Sequence, residues 1–415
     1  MKIVVIGSNA SAHFISQHLL KDSSVEIIYH FDANCNNLSN SRYQPIQSSL
    51  EDLINFLKEN CIDLVIPTLV QSQMCSILQA ELKKLNIPTL MPTEDLALLE
   101  WSKITGKQVL TKLKIPTAPY KIYKSASLLL SYFNIKRPFV IKHEREYMSG
   151  LQTVIVTDDN YLEEFEKFKT LNSVRNMNNK QCYIVEEFID GVCEYSYHAL
   201  CNATGWTYLG SARDYKKFKN GDCGFNTSSM GSYAPVPNVD AILSNYVDKF
   251  VDHFIEEGTP YVGVLYFGIL VKKDGTPIVL EINTRPGDPE IQPILSVLDN
   301  NCSVAELFYK TATNQLLPKI KFADNLASVS VRLVNENYLD YVDYNIEKNT
   351  PILNPNLWPE EADICISYNK ERLLLNSVIT ATSDTPEHAA DKIYKFLSNK
   401  DMHNYTYRTD IGYLK

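Results

Sequence analysis

A carboxylate and an amide stand two residues apart where an apolar run ends. They are Glu281 and Asn283 in Val279-Leu280-Glu281-Ile282-Asn283-Thr284-Arg285-Pro286-Gly287-Asp288-Pro289-Glu290-Ile291-Gln292. Two hard oxygen donors at that spacing suit Mg²⁺ held against phosphates. Arg285 just beyond them suits a bidentate clamp on a carboxylate or an oxyanion. The same letters also describe a polar strand end that runs into a Pro/Gly loop. Lysines supply a second strand of this chemistry. Lys142 closes the run Phe139-Val140-Ile141-Lys142, and Lys107 follows the stretch Trp101-Ser102-Lys103. Each either reaches a phosphate or spreads its apolar stem over the surface. The paired acids Glu186 and Glu187 interrupt an otherwise apolar run, where acids that merely solubilise have little reason to sit.

Strands must position these groups. The run 268–271, the turn Lys273-Asp274-Gly275-Thr276 and the run 277–280 form a hairpin. Period-two geometry then points Glu281 and Asn283 to one face. Nearer the start, the apolar runs 3–6, 25–29 and 64–66 alternate with helical stretches at 10–20, 53–60 and 72–84, which implies a parallel sheet with ligands at the strands' carboxyl ends. The loop Gly7-Ser8-Asn9-Ala10-Ser11 has one glycine, so it is no dinucleotide fingerprint. It is either a plain strand-to-helix turn or a set of backbone N–H groups offered to a phosphate.

Thr93 caps a further helix that runs from Glu94 through Trp101-Ser102-Lys103 towards Lys107. Ile115-Pro116-Thr117-Ala118-Pro119 breaks it at a domain boundary. A smaller α+β unit follows, with strands at 139–142 and 153–156, a polar loop at 144–150, a helix at 161–169 and strands at 182–188 and 194–198. The Gly-, Ser-, Asn- and Lys-rich stretch 214–233 reads as a long functional loop. Helices are expected at 243–257 and 304–313. The tail 320–415 carries strands at 328–333 and 364–368 and a helix at 386–397, a small α+β cap.

Bulk properties narrow the partners. A formal charge of -9 argues against nucleic acid or an anionic membrane, without excluding a local basic pocket. Nine scattered cysteines with no C-x-x-C suggest neither a disulfide frame nor a zinc site, and a reduced cytosol is the simplest compartment. The first residues enter a strand-like run at once, with no signal-peptide pattern, and no apolar stretch approaches spanning length. A soluble, cytoplasmic protein is expected.

Taken in order, these motifs resemble the ATP-grasp superfamily, and within it phosphoribosylamine–glycine ligases. The likeness is carried by Pro92-Thr93 with Leu99-Glu100-Trp101-Ser102-Lys103, Val140-Ile141-Lys142 and Val185-Glu186-Glu187-Phe188-Ile189-Asp190-Gly191. It continues through 221–233 and 279–292 to Tyr407-Arg408-Thr409-Asp410-Ile411-Gly412-Tyr413. The resemblance implies an α/β ATP-grasp fold: a Rossmann-like pre-ATP-grasp domain and linker helix (1–116), a lid subdomain (117–192), a central subdomain (193–319) and a C-terminal α+β domain (320–415). It implies an ATP-dependent carboxylate–amine ligase that works through an acyl phosphate, with ATP and Mg²⁺ (or Mn²⁺) as cofactors, as a monomer or homodimer acting on small molecules.

By the same resemblance Lys107 and Lys142 would hold the phosphates, the backbone near Glu187, Phe188 and Ile189 would read the adenine, and Glu186 and Lys216 would also contact ATP. Glu194 would hold the ribose, and Glu281 and Asn283 the metal. Arg285, Lys142 and Asp214 would be catalytic, with Ser8, Asn9, His13, Arg285, Gly287 and Asp288 on the other substrates. The chain departs from the family pattern in four places. Asn9-Ala10-Ser11-Ala12-His13 stands for Gly-Gly-Arg-Glu-His, Ile66-Pro67-Thr68 for Gly-Pro-Glu, 143–151 for a Gly-rich lid loop, and Ser228-Ser229 for a glycine pair. Two alternatives therefore stand beside the purine-pathway reaction: a relative recruited to another amine and carboxylate, and a non-catalytic nucleotide-binding homologue.

Overall fold

The computed structural model describes residues 1–31, 40–46, 49–69, 72–124, 137–144, 153–162, 166, 182–236, 240–336, 358, 361, 363–368 and 375–413. Continuous Val/Ile/Leu runs suit strands that are buried on both faces, and the first third of the chain is built that way. It comprises β1 (Lys2–Ile6), α1 (Ala10–Leu19), β2 (Ile27–Phe31), β3 (Tyr43–Ile46), α2 (Leu50–Glu59), β4 (Leu64–Pro67) and α3 (Ser72–Leu85). The strands form a parallel sheet in the order β3-β2-β1-β4. β2 begins two residues later than the apolar run implies. The edge strand β3 was not anticipated, because its four residues include Pro45 and lack an apolar run.

The single helix expected through Trp101-Ser102-Lys103 is two, α4 (Glu94–Trp101) and α5 (Lys103–Lys112). Ser102 between them is extended, and its Oγ accepts from the Thr105 amide at 3.2 Å. Thr93 occupies the N-cap position of α4, but its side chain makes no capping bond.

A four-stranded antiparallel sheet follows, ordered β5-β8-β6-β7 from β5 (Tyr120–Tyr123), β6 (Phe139–His143), β7 (Thr153–Val156) and β8 (Tyr183–Glu187). Its core is Phe139, Ile141, Val154, Val156, Tyr183 and Val185. The loop expected at 144–150 and the helix at 161–169 lie mostly outside the described residues.

The rest of the chain makes one nine-stranded antiparallel sheet. Its first strands are β9 (Gly191–Asn202) and β10 (Gly205–Asp214), followed by the separate hairpin β11 (Lys217–Lys219) and β12 (Cys223–Asn226), then β13 (Gly231–Ala234). After α6 (Asp240–Glu256) come β14 (Gly263–Lys272), β15 (Pro277–Asn283), α7 (Ile291–Ser296) and α8 (Val304–Ala312). The last elements are β16 (Ala327–Asn335), β17 (Ile364–Tyr368), β18 (Leu375–Ser383), α9 (Pro386–Leu397) and β19 (Tyr405–Thr406). The sheet order is β15-β14-β9-β10-β13-β16-β18-β17, with β19 on β16. The strands of the tail therefore extend the central sheet through β13 and β16 rather than forming a sheet of their own.

The stretch 214–233, expected as a long loop, is instead ordered as β11–β12 and pinned by the chain's end. The buried Arg408 guanidinium donates to Asp222 Oδ1 (2.8 Å), Asp410 (2.7 Å) and the Lys217 carbonyl (3.0 Å). Asp410 also accepts from the Gly221 amide at 2.7 Å. Ser229 sits at φ +146°, where glycine is at ease and serine is not. Its Oγ bonds to both the amide and the carbonyl of Gly231.

Alternation divides the large sheet into two unlike faces. Tyr197, Ala199, Leu265, Phe267, Ile269, Val329, Val331 and Leu333 pack under α6 and α9. The opposite face meets α7, α8 and α1 through Leu200, Ala212, Val264, Ile291, Ile294 and Phe308. Along this second face, towards one end, the residues turn polar.

Candidate active site

Register puts the polar groups in one patch. Asp214 lies opposite Glu194 and Ser232, Gly268 opposite Glu281, and Tyr266 opposite both Asn283 and His198. Ser330 lies opposite Ser232. Side chains directly across a ladder share a face, so Glu194, Asp214, Tyr266, Glu281 and Asn283 come together, as the spacing predicts for the last two. A Cβ at Gly268 would stand 2.9 Å from Glu281 Cγ, so the glycine makes room for that carboxylate.

Glu281 is held between two ammonium groups, Lys103 at 2.9 Å and Lys216 at 3.5 Å. Lys216 also reaches Asp214 Oδ2 at 3.4 Å. Burial alone would raise the Glu281 carboxyl, but Lys103, Lys216 and Lys142 pull it well below the usual carboxylate range. Asp214 and Glu194 have less compensation, and burial moves both upward. Burial opposes the charge on Lys216, yet Glu281, Tyr266, Asp214 and Glu194 raise it well above an ordinary lysine.

A second cluster joins α5 to the four-stranded sheet. Glu186, on β8, takes Lys107 Nζ on Oε1 and Lys142 Nζ on Oε2, each at 3.0 Å. Lys107 also donates to Thr117 Oγ1 at 2.6 Å. All three side chains are at least nine-tenths buried. Burial and the neighbouring Lys142 bring Lys107 down to about 8. Burial would lift Glu186, but the two lysines hold it below the carboxylate norm. Between this cluster and the large sheet is a cavity of about 300 Å³, lined by Lys142, Glu186 to Glu194, Asp214 and Lys216 among others. Glu187 and Phe188 are exposed at its mouth and Ile189 half-buried.

The segment after β15 folds across the same face. Glu100 accepts from the Thr284 amide (2.8 Å) and pairs with Arg285 Nε (3.0 Å), so α4 orients the arginine. The Gly287 amide donates to His198 Nε2 at 3.1 Å. Asp288 pairs with Arg332 at 2.9 Å and accepts from Gln292 Nε2 at 3.0 Å. Lys103, Glu100, Glu290 and Arg332 were not singled out from sequence. Arg332 had a signal: it is the one cation in the strand Ala327–Asn335, otherwise apolar and small-polar.

The residues expected near β1 belong to the parallel sheet and its first helix. Ser8 is half-buried at the strand's end. Asn9 caps α1, its Oδ1 accepting from the Ala12 amide (3.2 Å) and from Thr68 Oγ1 (2.8 Å). Two departures from the family pattern, Asn9 and Thr68, are thus bonded to each other. His13 is buried edge-on to Tyr368 on β17, ring centroids 5.1 Å apart.

No group of three or more His, Cys, Asp or Glu suited to a metal occurs among the described residues. Glu281 and Asn283, with Asn283 Nδ2 3.5 Å from Glu281 Oε1, are two adjacent oxygen-bearing side chains. Such a pair fits a cation that takes its remaining ligands from phosphates and water, as Mg²⁺ does.

A small antiparallel sheet carrying Lys142, set across a cavity from a larger antiparallel sheet with a Glu-x-Asn strand end, is the ATP-grasp fold. Comparison with known proteins agrees. The family models for the phosphoribosylglycinamide synthetase N domain and ATP-grasp (A) domain match residues 1–100 and 101–291. The chain is 29% identical to the phosphoribosylamine–glycine ligase of Streptococcus pyogenes serotype M6, over 99% of both chains. It is 29% identical to that of Leptospira interrogans, over 100% of this chain and 98% of the other. The crystal structure of the Thermotoga maritima phosphoribosylamine–glycine ligase superposes with a TM-score of 0.78 at 25% identity, covering 99% of this chain and all of the other. The ADP complex of N5-carboxyaminoimidazole synthetase from Staphylococcus aureus shares the fold, with a TM-score of 0.64 at 14% identity and 95% and 96% coverage. The chain belongs to the phosphoribosylglycinamide synthetase family, and so to the ATP-dependent ligases that form an amide.

Proposed function

We propose that the chain joins the carboxylate of glycine to the amine of phosphoribosylamine, consuming ATP. The names of relatives that match it end to end support this choice of substrates. The observation that carries it is one cavity lined by Lys142 and Glu186 from the first charge cluster and by Lys216 and Asp214 from the second, with Lys107 paired to Glu186 and Glu281 paired to Lys216. Phosphoryl transfer consists mostly of positioning and charge neutralisation. Lysines 107, 142 and 216 neutralise the phosphates, Glu194 takes the ribose hydroxyls, and the backbone at 187–189 meets the base. Glu281 and Asn283 would hold Mg²⁺ or Mn²⁺, which would screen the phosphate charge.

The glycine carboxylate, oriented by Arg285, attacks the γ-phosphorus and ADP leaves. The amine then displaces phosphate from the acyl carbon, and Asp214 stays beside Lys216 to fix its position. The four-stranded sheet, within 117–192, acts as the lid that keeps water from the acyl phosphate. Residues 1–116 carry the amine side, 193–319 the metal and 320–415 the far wall. The working form is a cytoplasmic monomer or homodimer. A different amine in the same reaction is the second reading, favoured by Asn9 and Thr68 closing on each other at the end of β1.

Mass spectrometry of products from ATP, Mg²⁺ and paired substrates separates the two. Glycinamide ribonucleotide with equimolar ADP is the expected result. Turnover with another amine alone would establish the second reading, and no amide from any pair would remove both.

A further inference from the structure

Glu290 lies outside the residues given roles above, yet it faces the same patch. It is buried, and its Oε1 accepts from Tyr266 OH at 2.8 Å. Tyr266 is the cross-strand partner of Asn283, so this bond sets Glu290 beside the metal-binding strand end. Its second oxygen, Oε2, is buried without a hydrogen-bond partner. That oxygen lies against Gly287, where an added Cβ would stand 2.8 Å from it. Leaving a carboxylate oxygen dry and unbonded forfeits the hydrogen bonds it made to water, a loss a fold has no reason to bear unless a ligand donates to it. Asp288, the neighbouring carboxylate, is by contrast committed to Arg332 and Gln292.

We propose that Glu290 is the base that takes the proton from the attacking amine. The inference rests on the ligase reading above. As the amine nitrogen bonds to the acyl carbon, the carbon–oxygen bond to phosphate breaks and its electrons leave with phosphate. The N–H proton passes to Glu290 Oε2. Burial, followed by the negative charge of Asp214, lifts this carboxyl to about 7, which keeps it ready to accept a proton near neutrality. The charged and titratable groups facing it are Asp214 at the end of β10, Lys216 two residues further on and Tyr266 from β14, on which His198 from β9 stacks at 4.5 Å.

Hydroxylamine separates the two half-reactions, because this strong nucleophile traps an acyl phosphate as a hydroxamate without needing the amine's base. With glycine, ATP and Mg²⁺, Glu290→Gln should keep hydroxamate formation within about threefold of wild type. Amide formation should fall about 10²- to 10⁴-fold. In the wild type, amide formation should decline below about pH 7 while hydroxamate formation does not. If Glu290→Gln fails to fold, Glu290→Asp takes its place, and hydroxamate should again survive while amide falls at least about tenfold. Undiminished amide, or hydroxamate that falls in step with it in a folded variant, would overturn the proposal. A wild-type enzyme that yields neither product would remove the ligase reading itself, and this role with it.

Discussion

Glu186 neutralises two lysines at once, with its side chain almost wholly buried. Removing one partner of a buried ion pair costs about 3–5 kcal/mol, because the orphaned charge stays buried. Glu186→Gln should therefore lower unfolding stability by about that amount in urea titration, whereas Glu187→Gln, exposed one residue on, should change it by under about 0.5 kcal/mol. Glu281→Gln is expected to act on rate. It removes the negative charge shared by Lys103 and Lys216 and one oxygen of the proposed metal site, so kcat should drop at least about 100-fold, read in a coupled ADP assay. Glu281 and Asn283 are legible in the sequence because a two-residue period fixes their shared face whatever the rest of the fold does. Lys103 and Glu100 are not. Their partners lie some 180 residues on, and the turn at Ser102 that aims them looks like an ordinary stretch of helix. Glu290 is illegible for another reason: in a Pro/Gly segment, nothing local tells which acid is spoken for and which is left bare.

Hairpins and caps show the same limit among the elements. The hairpin that carries Glu281 could be read from two apolar runs and an Asp-Gly turn, all local signals. The stretch 214–233 could not, since β11–β12 owes its order to Arg408 and Asp410, almost two hundred residues later. Arg408→Met should release that clamp. Amide hydrogen exchange across 217–226 is then expected to speed up strongly, with protection in β14 and β15 unchanged; equal loss in both would mean that the clamp supports the whole sheet instead. The tail strands at 328–333 and 364–368 were legible as strands but not as members of the central sheet. Pairing between β13 and β16 is long-range, and a strand's sequence does not name its neighbour.

Across the whole molecule, the parallel and antiparallel parts follow from how apolar runs alternate with helices, while the cleft between sheets follows from contacts that no window of sequence contains. The cleft also sets an acid limit. Burial brings His198 down to about 3, so it stays neutral in the fold while an unfolded chain protonates it near 6.5. Between those values the unfolded state binds the extra proton, and stability falls as pH drops, by at most about 1.4 kcal/mol per pH unit. His198→Gln should flatten the melting temperature profile over that window, and an unchanged slope would exclude His198 as a cause. Among the described residues, no helix is long and apolar enough to cross a membrane.

The central claim is that a carboxylate oxygen is bonded to the γ-phosphorus before any amide exists. Transfer of ¹⁸O from labelled glycine carboxylate tests it most directly. One labelled oxygen should appear in the released phosphate for each amide formed, and Glu281→Gln should slow label and amide together. Phosphate released without label while amide accumulates would contradict the account.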